Sequence, residues 1–73
     1  MKLSELLPDE CGQVIAMPDN LGRRLEKMGF AVGGEVRCLF RAPLGDPTAY
    51  LVKGAAVALR KKDAENIEVR QWD

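Results

Sequence analysis

The sequence predicts a mainly β protein: a small five-stranded antiparallel barrel with one short α-helix inserted after the first strand. Three observations lead there. Five short apolar runs, bounded by Gly, Pro or charged residues, have the length and alternation of strands. One early run repeats instead at helical spacing. The chain has 73 residues, 47% hydrophobic and 30% charged, which suits one small folded domain over residues 1–73 and not a disordered segment. Short strands leave vulnerable edges, and closing them into a barrel hides those edges.

The elements follow in order. LSELLP, residues 3–8, allows one helical turn that Pro8 and Asp9 end. CGQVIAMP, residues 11–18, is a short apolar run closed by Pro18 and reads as the first strand. In DNLGRRLEKMGF, residues 19–30, Leu21, Leu25 and Met28 recur at i, i+4 and i+7 and make one face of a helix. Asp19 or Asn20 can cap its start and Gly29 can end it in a left-handed turn, while Gly22 weakens its interior by about 1 kcal/mol relative to Ala. Arg23, Arg24 and Lys27 fall off the apolar stripe and are expected in solvent.

GGEVRCLFRA, residues 33–42, alternates. Val36, Cys38 and Phe40 are expected inward; Glu35, Arg37 and Arg41 outward. TAYLVKG, residues 48–54, puts Tyr50 and Val52 on one face, and AAVALR, residues 55–60, puts Val57 and Leu59 together. Gly54 between them marks a tight turn or bulge. RKKDAENI is a charged connection with room for one helical turn, and IEVRQW is the last strand, with Ile67 and Val69 inward. The expected core is Val14, Leu25, Met28, Val36, Phe40, Val52, Val57, Leu59, Ile67 and Val69.

Composition excludes several function classes. Lys+Arg and Asp+Glu are both 11, so zero net charge gives no drive toward nucleic acid. Few aromatics are left over from the core, which argues against an oligonucleotide-binding barrel. No His is present, which removes the commonest general base and transition-metal ligand. Ser4 and Thr48 have no evident base partner, no Walker-type loop occurs, and a barrel this small has little room for a sizeable pocket; an enzyme is not expected. Two distant cysteines, Cys11 and Cys38, fit a reducing compartment and make an incomplete metal site; Cys38 reads as a small core residue. No cofactor and no metal ligand set are expected. MKLSELLPDECG is neither signal peptide nor transmembrane helix, so a cytoplasmic protein without direct membrane insertion is expected.

The candidate site is the loop Pro43-Leu44-Gly45-Asp46-Pro47. Its bland reading is fixed turn geometry: proline sets φ and ends the strand ladder, Gly45 permits positive φ, and Asp46 bonds back to the turn. Its sharper reading is that the prolines hold Leu44, an unusual residue for a loop tip, ready for a partner. The run Arg60-Lys61-Lys62 offers cationic contacts to an acidic face; otherwise it is a solvated turn balanced by Asp63 and Glu65. Trp72, on the face opposite Ile67 and Val69, caps one barrel end or touches a partner.

RRLEKMGFAVGGEVRC followed by APLGDPTAYLVKGAAVALRKKDAENIEV resembles the FeoA family of ferrous iron transport accessory proteins over almost the whole chain. APLGDP beside ALRKKDA is the specific part. The resemblance implies an SH3-like barrel with the helix after the first strand. It implies a small regulatory protein binding the cytosolic GTP-binding region of the membrane ferrous iron transporter FeoB. Two alternatives accompany it: a metal-sensing module akin to the SH3-like C-terminal domain of iron-dependent repressors, or a generic small-barrel interaction domain.

Overall fold

The computed structural model describes residues 1–72, and of Leu21 the backbone alone; the expected inward side chain of Leu21 therefore lies outside the described residues. A 3₁₀ turn, Leu3–Glu5, precedes β1 (Cys11–Ala16), α1 (Asp19–Lys27), β2 (Glu35–Arg41), β3 (Thr48–Val52), β4 (Ala55–Leu59), the short α2 (Lys61–Ala64) and β5 (Glu68–Trp72). The strands form one antiparallel sheet in the order β4-β3-β2-β1-β5. Strands that are neighbours in sequence pair, with α1 in the long β1–β2 connection, except that β5 returns to lie beside β1 and not β4.

Local chemistry accounts for the element ends. Gly29 has φ +105°, and the chain leaves α1 there; Phe30 N–H closes back on Leu25 C=O at 2.9 Å. A Cβ on Gly29 would also meet Val52 Cγ1 at 3.3 Å. At the other end, Pro18 occupies the cap position and no side chain caps the helix, so neither Asp19 nor Asn20 has the expected role: both already lie within α1. Lys53 and Gly54, at φ 51° and 79°, form the two-residue turn joining β3 to β4. Gly12 is required by packing instead, because a Cβ there would stand 3.0 Å from the Arg70 carbonyl oxygen on β5.

The sheet curls over one core of Leu3, Leu6, Val14, Leu25, Phe30, Val36, Cys38, Tyr50, Val52, Leu59, Ala64, Ile67 and Val69, with Met28 and Val57 partly buried against it. Phe40 is the exception to the expected core: it is 61% exposed. The cause is a β-bulge. β2 pairs with β3 as Cys38↔Tyr50 and then Phe40↔Ala49, so Leu39 is the extra residue. Side chains alternate with period two, and one inserted residue exchanges the faces of all that follow. Phe40 turns outward, and Arg41, expected outward, is carried onto the row of Thr48 and Leu59.

Closure is by curvature and packing; among the described residues no ladder joins β4 to β5. The far edge of β5 is instead covered by the start of the chain. Leu3 N–H donates to Ile67 C=O at 2.8 Å, and Val69 N–H donates to Met1 C=O at 2.8 Å. No helix among the described residues is long and apolar enough to cross a membrane.

Candidate partner-binding surface

The loop between β2 and β3 is held by its own backbone. Gly45 N–H donates to Ala42 C=O at 2.7 Å, closing a turn with Pro43 first and Leu44 second of its central residues. Ala42 N–H donates to Pro47 C=O at 3.0 Å across the loop base. Gly45 has φ +90°, and the Asp46–Pro47 peptide is cis. This leaves Leu44 97% exposed, the most exposed of the large apolar residues described. A proline lacking its N–H and a tight backbone hydrogen bond together restrict the loop before anything docks on it.

Asp46 does not bond back to its own turn. Its Oδ1 accepts from the backbone N–H of Lys61 at 2.8 Å, at the start of α2. Helix starts carry unpaired N–H groups, and α2 has no capping side chain of its own, so Asp46 supplies one from fifteen residues earlier in the chain. The contact joins the two motifs that the sequence presents separately: the loop 43–47 and the basic run Arg60-Lys61-Lys62.

That basic run is exposed throughout and is less balanced than the sequence suggests. Asp63 is 7% exposed and turns inward, where its Oδ2 accepts from Arg24 Nη2 at 2.8 Å. Arg24 is accordingly not a purely solvated side chain but a bridge from α1 to α2. Glu65 remains exposed as the nearby acid beyond α2.

A depression of about 390 Å³ lies below the loop, lined by Ser4, Arg41, Asp46, Thr48, Tyr50 and Lys61 among others. Arg41 Nη2 donates to the carbonyls of Ser4 and Leu6, both at 3.1 Å, and so ties the 3₁₀ turn to the end of β2. Sequence reasoning missed Arg41 because its role depends on the bulge at Leu39, which no local signal announces. Tyr50, 1% exposed, reaches Leu3 C=O at 3.5 Å; burial pushes its phenol up to about 12. Burial likewise raises the Cys38 thiol. Cys11 is half-buried and free, and no group of three or more His, Cys, Asp or Glu is placed to hold a metal among the described residues.

Trp72 is not part of this surface. It is 40% exposed and pairs with Cys11 at the end of β5, on the outward face of the sheet. The molecule thus has an exposed apolar side chain on a braced loop, with a cationic border and a shallow depression beside it.

These features define a small SH3-like domain. Residues 1–71 match the FeoA domain family, and the chain belongs to it: a family of non-enzymatic accessory proteins of ferrous iron transport. The FeoA protein from Chlorobium tepidum is 33% identical, with a TM-score of 0.92 over all of this chain and 71% of its own. Stenotrophomonas maltophilia FeoA, a procaryotic SH3 domain protein solved in complex with zinc, is 33% identical with a TM-score of 0.81, covering 96% of this chain and 89% of its own. The Fe(2+) transport protein A/Fe(2+) transporter FeoB fusion protein of Porphyromonas gingivalis is 34% identical over 71 residues. That match takes in 94% of this chain but only 8% of the fusion protein, so this chain corresponds to a small part of that relative.

Proposed function

We propose that this protein acts in the cytoplasm as a regulator of ferrous iron uptake and docks, through the loop 43–47, onto the cytosolic GTP-binding region of the transporter FeoB. The observation that carries the reading is Leu44: an apolar side chain 97% exposed on a loop whose ends are tied by hydrogen bonds. Burying such a side chain in a partner recovers hydrophobic free energy at little cost in conformational entropy. Arg60, Lys61 and Lys62 border the loop and suit an acidic partner face; Trp72 is reached only by a partner that also covers the outward face of the sheet. The relative in which this kind of domain and the transporter form one chain supports the choice of partner. Neither nucleic acid nor the bilayer is a target in this reading, given the zero net charge.

The test is binding of the purified protein to the transporter's soluble GTP-binding region, alongside thermal melting of the same preparations. Leu44→Ala should leave Tm nearly unchanged, since exposed substitutions stay within about 0.5 kcal/mol, and should weaken binding tenfold or more. Leu44→Asp should weaken it further. A Leu44→Ala variant that melts early yet binds normally per folded molecule would sink the proposal.

A further inference from the structure

We propose that the outer edge of β4 is a second docking site, which accepts an extended peptide segment with an apolar centre and acidic residues at both ends. The site shares Arg60 and Lys61 with the border of the Leu44 loop, but it lies along a different backbone edge and does not depend on the transporter reading. It is a row of unpaired backbone groups. Val52 and Ala55 flank the two-residue turn Lys53-Gly54 and pair with each other, followed by Tyr50↔Val57 and Thr48↔Leu59. In an antiparallel hairpin these alternate pairs exchange both hydrogen bonds. The N–H and C=O groups of Ala56 and Ala58 therefore point away from β3, and they have no partner among the described residues.

Sheet edges are ordinarily protected by lysines, prolines, bulges or a covering segment. β5 has such a cover in residues 1–3. β4 has none: its sequence is Ala-Ala-Val-Ala-Leu, its pairing with β3 runs without a register shift, and Ala55, Ala56 and Ala58 are exposed. Small side chains let another backbone approach to ladder distance. The outward face beside the edge is apolar as well. Ala58 stands in a cross-strand row with Ala49 and the exposed Phe40, and Ala56 in a row with Leu51. An added strand would extend both rows and place its own apolar side chains there.

Charge selects the occupant. Lys53 precedes the strand and Arg60 and Lys61 follow it, all exposed. Asp46, the acid beside Lys61, has one carboxylate oxygen engaged by the Lys61 backbone N–H. Glu35 shares a depression with Lys53, but Arg37 is there too. A second copy of this chain is the wrong partner. Antiparallel self-pairing of Ala56 with Ala58 brings Lys53, in the turn before β4, toward Lys61 of the other copy, at the start of its α2, at both ends, and like charges brought together oppose the pairing. Acidic flanks turn the same two positions into attractive pairs.

The probe is a synthetic nine-residue peptide with alternating Val and Thr in the centre and two acidic residues at each end; its counterpart carries lysines in place of the acids. Amide exchange and chemical shifts of the intact protein are followed on titration. The acidic peptide should slow exchange at Ala56 and Ala58 at least tenfold, with affinity falling as salt rises, and the lysine peptide should bind at least tenfold more weakly. Ala58→Pro deletes an outward N–H without touching the ladder to β3 and should abolish protection at Ala56. Should that variant fail to fold, Lys53→Glu with Lys61→Glu serves instead and should reverse the preference between the two peptides. Equal binding of both peptides, shifts confined to the Leu44 loop, no binding at millimolar peptide, or peptide-independent protection that grows with protein concentration would each overturn the proposal; the last outcome would assign the edge to a second copy. Because the transporter region is absent from this experiment, its failure leaves the Leu44 proposal standing, and the reverse also holds.

Discussion

Tyr50 shows at the residue scale how burial becomes a measurable property. Its phenol ordinarily titrates near 10 and is raised to about 12, burial being the main cause. A raised folded-state pKa means that the stabilisation is fully present below pH 10 and is lost as pH climbs through 12. Two pH units correspond to about 3 kcal/mol at most. Denaturant titrations of the wild type should therefore lose stability between these values, and Tyr50→Phe should lose distinctly less; parallel curves would refute the assignment. The two cysteines offer a second check. Cys38 is buried with a raised pKa, whereas Cys11 is half-exposed, so a thiol reagent should modify Cys11 quickly in the native protein and Cys38 only on unfolding. Of the two phenylalanines, Phe40 departs from first expectation. Phe30, 1% exposed, should cost about 3 kcal/mol or more on truncation to Ala, and Phe40, 61% exposed, well under that, as chemical denaturation would show.

At the scale of elements, the decisive contact is the one between Asp46 and α2. Four residues are too few for a helix to persist without outside support. Asp46 satisfies the Lys61 N–H, and Asp63 anchors the other side of the same turn to Arg24 on α1. Asp46→Ala should destabilise the protein by about 1 kcal/mol, as loss of a helix cap does, and should speed amide exchange at Lys61 first. Asp46→Asn keeps an accepting oxygen and should recover most of the loss. The bulge at Leu39 acts at this scale as well: it turns Phe40 out to the sheet's outward rows and Arg41 toward the 3₁₀ turn, where it holds the carbonyls of Ser4 and Leu6.

Across the whole molecule, stability comes from one thin core under a curled sheet. A domain of this size has little reserve, and many comparable domains lean on metals or disulfides. Here both cysteines are free and no ligand cluster is assembled among the described residues. The protein should accordingly keep its far-ultraviolet circular dichroism and its Tm when treated with a strong chelator; loss of the folded spectrum would reveal a structural metal site.

The sequence by itself determined the number and order of the strands, the helix after the first of them, the left-handed exit at Gly29, and most of the core: Val14, Leu25, Val36, Val52, Leu59, Ile67 and Val69 are all buried. These features rest on period, turn chemistry and hydrophobicity, which act over a few residues and can be read locally. It also placed the loop 43–47 at the surface with Leu44 exposed. Only the tertiary structure decided the rest. The bulge in β2 arises from register against β3 and changes the face of Phe40 and Arg41 without a mark in the residues themselves. The Asp46 cap and the Arg24–Asp63 bridge join positions far apart in the chain, and the burial of Asp63 follows from where α1 lies. Which sheet edge stays open, β4 and not β5, depends on where the first three residues come to rest. Hydrogen bonds and ion pairs of this kind depend on distance and direction in space, and a linear pattern contains neither.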